Sequence, residues 1–252
     1  MNKWAFDFTG KKVVITGGSR GLGFQMACAF SSLGAEVIIA SRKLESCQTA
    51  ASTITAETGG KVHAYALHAA DWDQCTEFAH RVLEDHGKID VLVNNAGSSP
   101  LYDKVTDISE ELYDKVVGLN LKGPFRLSAL LGEKMAESGG GAIVNISSIA
   151  SVNPKPDTVP YSAAKAGLNA TTVALAHTYG PDVRVNAVVP GTFLTDISQH
   201  WDQEAFAQRA QSFAAKRGGE PEEIVGAVLY LSSPMASYTT GALLTVDGGA
   251  SK

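Results

Sequence analysis

The feature that most constrains this chain is a rhythm. Short apolar runs rich in valine and isoleucine alternate with longer stretches whose apolar residues recur at helical spacing. The runs fall at residues 12–16, 36–40, 62–67, 91–94, 142–147, 183–189 and 243–246. Val13-Val14-Ile15 and Val37-Ile38-Ile39 are apolar without alternation, which suits strands covered on both faces. Helical stretches lie between them, at 21–33, 43–58, 73–86, 109–135, 161–179 and 221–231. Asp107 with Glu110 three residues on reads as a capping box. Pro221 and the two glutamates after it read as a helix start, with acids near the positive end of the dipole. The β-α-β-α order predicts an α/β fold: a doubly wound, mostly parallel sheet of seven strands with helices on both faces. No linker, repeat or low-complexity segment interrupts it, and Gly139-Gly140-Gly141 reads as a loop before a strand. The expectation is one domain over residues 1–252.

Composition narrows the function. The chain is 44% hydrophobic and 19% charged, so it can bury a large core and is not disordered. Its net charge of -5 argues against a nucleic-acid partner, and its aromatic residues are too sparse for a base-stacking platform. No apolar run approaches the roughly 18–20 residues that span a bilayer, and the first residues lack an apolar signal core, so a cytoplasmic protein is expected. Cys28, Cys47 and Cys75 are odd in number and lack a C-x-x-C spacing, which reads as reduced thiols. The six histidines show no paired ligand spacing. His63, His80 and His86 read as surface or helix-end residues, and no metal is expected.

The first strand runs into Thr16-Gly17-Gly18-Ser19-Arg20-Gly21-Leu22-Gly23, and a helix follows at once. Glycines there let the backbone turn sharply and approach a pyrophosphate, whose charge the N–H groups at the helix start receive. The position at the first strand-to-helix turn makes this a dinucleotide loop rather than a plain turn. Gly17, Ser19, Arg20, Gly21, Leu22 and Gly23 are its candidate contacts. At the end of the second strand, an NAD site wants a carboxylate for the ribose 2′-hydroxyl. This chain has Ser41-Arg42-Lys43 instead. Arg20 and Arg42 can clamp a 2′-phosphate, so the cofactor is expected to be NADP(H).

Further along, Tyr161 and Lys165 stand at i and i+4 on one helix face. An ammonium near a phenol favours phenolate and brings the group toward use near neutral pH. Ser148 ends a strand thirteen residues earlier, at the carboxyl end where α/β sheets bind ligands. Ser147 precedes it, and successive strand residues face opposite ways, so only one of the two can face a substrate.

With Asp71 after the third strand, Asn94-Asn95-Ala96-Gly97 after the fourth, Asn120 in a long helix, Pro190-Gly191 with Thr195, and Val246-Asp247-Gly248-Gly249 near the end, the chain resembles the short-chain dehydrogenase/reductase family in its form of about 250 residues. It is similar to members such as 3-oxoacyl-carrier-protein reductases and gluconate dehydrogenases. The resemblance covers nearly the whole chain and implies a Rossmann-type fold and hydride transfer between a nicotinamide and a ketone or secondary alcohol. It implies Tyr161 as the general acid or base and Ser148, by its spacing to Tyr161, as the partner of the substrate oxygen. Lys165 would lower the Tyr161 pKa and hold the nicotinamide ribose, and Asn120 would anchor a water in a proton relay. Asp71 would meet the adenine, with Trp72 beside it where a small aliphatic residue is usual. Asn95, Ala96 and Gly97 would let the cofactor pass close to the backbone. Pro190, Gly191, Thr192 and Thr195 would hold the nicotinamide and diphosphate. Asn94 reads as structural, tying strands together.

A substrate would be met by residues 98–102, 149–160 and 192–201, with a lid over about 192–218. Lys155 reads as solvated, and His200 beside Trp201 is a candidate substrate contact. The leading expectation is a carbonyl reductase for 3-oxoacyl groups or small ketones. An NADP-dependent sugar or polyol dehydrogenase is the alternative, and a non-catalytic dinucleotide sensor a remote third. The helix over 161–179 is rich in alanine and glycine, and the resemblance implies a homotetramer, or a homodimer, built partly through it.

Overall fold

A computed structural model describes residues 5–250 apart from 197 and 199–201. Seven strands form one sheet: β1 Lys12–Thr16, β2 Glu36–Ser41, β3 Val62–Ala66, β4 Val91–Asn94, β5 Gly141–Ile146, β6 Val183–Pro190 and β7 Leu243–Val246. Their order is β3-β2-β1-β4-β5-β6-β7. Every pairing is parallel, so the sheet is wholly rather than mostly parallel. The unalternating runs are explained by what covers them. Val13 and Ile15 pack on one face with Met26, Phe30 and Val228. Val14, between them, packs on the other with Phe78, Val82 and Leu131. Both faces being dry, both sets of side chains are apolar.

The helices are α1 Gly21–Ser32, α2 Leu44–Thr58, α3 Trp72–His86, α4 Glu110–Val117, α5 Gly123–Glu137, α6 Val159–Tyr179, α7 Gln203–Ala210 and α8 Val225–Ser232. Three differ from expectation. The stretch 109–135 is not one regular helix, because a π turn at Gly118–Lys122 joins α4 to α5. Its start is capped by Ser109, whose hydroxyl accepts the Leu112 N–H, and not by Asp107, which lies in the preceding 3₁₀ turn. Pro221–Ile224 is a 3₁₀ turn leading into α8. The box there is formed by Glu220 and Glu223. The third, α7, carries no strong apolar period. Its sequence signal is Asp202, which caps Ala205, followed by Glu204 in the first turn.

Strand order reverses between β1 and β4, and all carboxyl ends point to one rim. That rim is where an open parallel sheet forms its ligand crevice. A buried polar ladder fixes what stands there. Asn94 Nδ2 donates to Asn145 Oδ1 (2.8 Å) and to Ser128 Oγ (2.9 Å). Asn145 Nδ2 in turn donates to Thr172 Oγ1 of α6 (2.9 Å). The ladder ties β4, β5 and α6 into one register, so the residues at the start of α6 are held against the ends of both strands.

Candidate active site

At the end of β1 the chain must double back at once into α1. Gly17 takes φ +68° and Gly21 φ +54°, the left-handed region that favours glycine. Gly23 is required by closeness: a Cβ there would lie 2.2 Å from Gly17 O. Asn95 braces the turn, its Nδ2 donating to Thr16 O (2.9 Å) and Gly17 O (3.2 Å). The Asn95 and Ala96 N–H groups both donate to Thr16 Oγ1. Asn95 therefore acts through its side chain as a brace of the loop.

The N-terminus of α1 carries no side-chain cap and no acid in its first turn. Free N–H groups and the positive dipole end are left facing the crevice, which suits a phosphate. Thr195 stands opposite, with its Cγ2 3.6 Å from where a Gly21 Cβ would be. Between Arg20, Gly21, Phe24, Thr195 and Pro221 lies a cavity of about 490 Å³. Arg20 and Arg42 are exposed, and neither makes an ion pair or side-chain hydrogen bond among the described residues. Arg184, by contrast, is spent on the carbonyls of Leu231 and Ser233. Ser19 Oγ reaches Ser41 Oγ (3.3 Å), which lies 3.0 Å from Cys47 Sγ. These groups fit a dinucleotide that carries an extra phosphate.

The two expected adenine contacts also have partners within the chain. Asp71 caps α3, its Oδ1 accepting the Gln74 N–H at 2.9 Å. The Trp72 indole is taken up by α5: Arg126 lies over its ring at 4.6 Å, Lys122 at 5.8 Å, and the Phe125 ring packs at 6.2 Å. Arg126 was not expected to matter, and only proximity in the fold reveals it. On β6 and beyond, Gly191 donates to Val246 O, and a Cβ on it would meet Asp247 at 2.7 Å. Pro190 ends β6. Thr192 Oγ1 accepts from Arg209 of α7 at 3.1 Å, and Leu22 packs against the core under α1.

The two serines face apart. Ser148 Oγ accepts the Ala150 N–H at 3.1 Å, and its hydroxyl lies near enough to the Tyr161 phenol to influence its ionisation. Ser147 turns toward α6, 3.4 Å from Lys165 O. Lys165 is buried, and its Nζ donates to Ile146 O at 2.7 Å. It stands 5.8 Å from the Tyr161 ring centroid. A Cβ on Gly97 would lie 2.9 Å from Asn120 Oδ1 and 3.5 Å from Lys165 Nζ, so glycine lets these two groups converge. The Asn120 carboxamide is fully committed within the π turn's reach. It donates to Ser98 O and Val116 O (both 2.9 Å) and accepts the Ser98 N–H (3.3 Å).

Burial dominates the electrostatics of the pair. Burial pushes the Tyr161 phenol up, and the hydrogen bond with Ser148 works against it. Burial pushes Lys165 down to about 7. The Lys165 Nζ donates to a main-chain carbonyl, 5.8 Å from the Tyr161 ring centroid. What the arrangement offers is a protonated phenol and a serine hydroxyl side by side, backed by a buried amine of adjustable charge. The proposed substrate contacts His200 and Trp201 lie outside the described residues.

Comparison with known proteins agrees with this geometry. Residues 17–251 match a family model described as enoyl-(acyl carrier protein) reductase. The chain is 35% identical over 244 residues to a 3-oxoacyl-[acyl-carrier-protein] reductase of Thermotoga maritima, spanning 95% of this chain and 97% of that one. It is 37% identical over 246 residues to an L-rhamnose 1-dehydrogenase (NAD(P)(+)) of Azotobacter vinelandii, at 95% and 96% coverage. Among solved structures, the L-sorbose reductase of Gluconobacter frateurii, complexed with NADPH and L-sorbose, superposes with TM-score 0.91 at 29% identity over 98% of both chains. A doubly wound parallel sheet, a glycine loop at its first turn and a Ser–Tyr–Lys cluster at its rim thus occur together in a chain that belongs to the short-chain dehydrogenase/reductase family, whose members interconvert alcohols and carbonyls.

Proposed function

We propose that this chain is an NADP(H)-dependent carbonyl reductase acting on a 3-oxoacyl-type compound or a small ketone. The observation that carries the reading is the convergence at the carboxyl rim of the sheet of Ser148, just past β5, with Tyr161 and Lys165, whose Nζ donates to Ile146 O and stands 5.8 Å from the Tyr161 ring centroid. A protonated phenol placed there is a proton donor. When bound, the cofactor supplies the hydride and receives it back in the reverse direction. Arg20 and Arg42 hold the 2′-phosphate, and the α1 N-terminus with Thr195 holds the diphosphate. Gly191, Thr192, Ala96 and Gly97 flank the nicotinamide half. Ser148 donates a hydrogen bond to the substrate oxygen and stabilises the charge that develops there. Tyr161 gives its proton to that oxygen as the C=O becomes C–OH. Lys165 returns a proton toward Tyr161, and with the Asn120 side chain committed, a relay water is held by the Asn120 main-chain carbonyl. α7, within the expected lid, would cover the substrate.

The sugar or polyol dehydrogenase is the second reading. It is supported by the rhamnose and sorbose specificities named for two relatives. Steady-state absorbance at the NADPH band against 3-oxoacyl thioesters, small ketones, ketoses and the matching alcohols tests both. Turnover of ketones with NADPH supports the first, and turnover confined to sugars and polyols replaces it by the second. Tight NADPH binding without turnover of any of them points to a sensor instead. The face of α6 carrying Ala163, Ala166, Ala170 and Ala174 is exposed and made of small residues. It supports close helix pairing in a homotetramer or homodimer, which light scattering on the eluting protein measures.

A further inference from the structure

His63 and His86, twenty-three residues apart in the chain, converge on one carboxylate at the rim opposite the candidate active site. In the register of β2 and β3, Ile38 faces His63, so Glu36 and His63 share a sheet face at the amino ends of their strands. His86 is the last residue of α3, which packs on that face. Glu36 Oε1 lies 3.0 Å from His63 Nε2 and 3.0 Å from His86 Nδ1. The three ligand-type atoms all lie within 4.8 Å of one another.

Two features of this cluster call for a cation. Tyr65 Oη donates its single proton to Asp85 Oδ2 at 2.7 Å, so its 2.9 Å contact with His86 must be received from Nε2–H. In a neutral ring that leaves a lone pair on Nδ1, pointing at a carboxylate oxygen. In addition, His63 Nε2 is buried and makes no hydrogen bond despite its closeness to Glu36.

We propose that Glu36, His63 and His86 are the protein ligands of a divalent transition-metal site of the zinc type, stapling edge strand β3 to β2 and to the end of α3. Two imidazoles, one carboxylate and an open fourth position form a common zinc set. Tetrahedral bonds of about 2.0–2.2 Å place ligand atoms about 3.3 Å apart, close to the two 3.0 Å separations from Glu36 Oε1, with the histidine nitrogens within 4.8 Å of each other. The His86–Tyr65–Asp85 chain is the supporting partner that a ligating imidazole ordinarily has. The carbonyl end of α3 also favours a cation. Lys12, which donates to His86 O, and Lys61, near His63, oppose it, while Glu36 and Asp85 balance them. The rival occupant is a proton on His86, which would satisfy Nδ1 and leave His63 Nε2 unpaired.

Titration of the chelator-stripped full-length chain with ZnCl2, followed by calorimetry and thermal melting, tests this, with CoCl2 as a spectroscopic probe. One equivalent should bind and raise Tm. Glu36→Gln, which keeps the side chain's shape, and His63→Ala should each weaken binding at least tenfold, since losing even a partner of a ligand typically costs 10–100-fold. His80→Ala, at an exposed histidine, should bind as the unaltered chain does. Cobalt should give d–d bands without thiolate charge transfer. No stoichiometric binding, equal binding by Glu36→Gln and His63→Ala, or a sulfur charge-transfer band would each overturn the site.

Discussion

Tyr161 and Arg42 are the residues on which the functional reading turns, and each makes a separate prediction. Tyr161→Phe removes one oxygen from a side chain whose ring remains packed beside Ser148. Turnover should fall by roughly 10²–10⁴-fold, the usual contribution of a general acid. NADPH affinity, followed by fluorescence, should stay within about twofold, because the ring is kept and the phosphate contacts are remote from it. Among the described residues Arg42 makes no ion pair or side-chain hydrogen bond, so its loss should cost little stability. In Ser41→Asp/Arg42→Ala the carboxylate repels a 2′-phosphate and one clamp is gone. Charge-assisted bonds contribute roughly 1.5–3 kcal/mol each. The KM for NADPH should therefore rise tenfold or more, while that for NAD(H) falls. Unchanged constants for both cofactors would remove the argument for NADP(H).

At the scale of elements, strands were the most legible part of the sequence. β1, β4 and β7 occupy the very residues expected, and the others differ by a residue or so at their ends. Continuous Val and Ile runs buried on both faces leave little room for another reading. Helix ends were less legible, because they depend on single hydrogen bonds. Asp107 and Ser109 both precede Glu110 closely enough to cap it, and only the loop's path selects Ser109. The break at Gly118–Lys122 was hidden because its cause is not local. Gly123 lies where a Cβ would be 1.7 Å from Ala69 O, so the helix meets the β3–α3 connection with no room to spare. Gly123→Ala should destabilise the protein by about 3 kcal/mol, the upper range for overpacking. Gly226 in α8 has nothing within 4 Å of such a Cβ. Gly226→Ala should stabilise by roughly 0.5–1 kcal/mol. Urea unfolding of the two variants measures both signs. The convergence of Glu36, His63 and His86 was likewise illegible, since no spacing links three residues brought together by a strand register and a helix return.

The whole molecule carries a cost at its candidate site. Lys165 falls from 10.5 in the open chain to about 7 when buried. For a lysine shifted downward, the folded state resists protonation. The cost of folding is complete below about pH 7 and is relieved as pH rises from there toward 10.5. Lys165→Met removes this cost and also removes turnover. Its Tm advantage over the unaltered protein should be largest near pH 6 and should shrink steadily toward pH 10. An advantage that does not change with pH would mean that Lys165 is charged at no expense. Asp90 contributes at the other end of the scale. Burial disfavours its charge, but the Lys12 N–H and the ammonium groups of Lys88 and Lys11 outweigh it and hold the carboxyl below its usual range. That contribution is present above about pH 4 and is lost as pH falls through the lowered value.

Because all seven strands run the same way, the crevice opens at one pole and the strands are entered at the other. The turn at Gly139–Gly140, both at positive φ, enters β5 at that second pole, where a Cβ on Gly140 would meet Asp182 O. Anchoring the protein to a bead or fusing it to a second catalyst through that turn leaves the mouth of the crevice pointing outward, so immobilised material should keep the specific activity it had in solution.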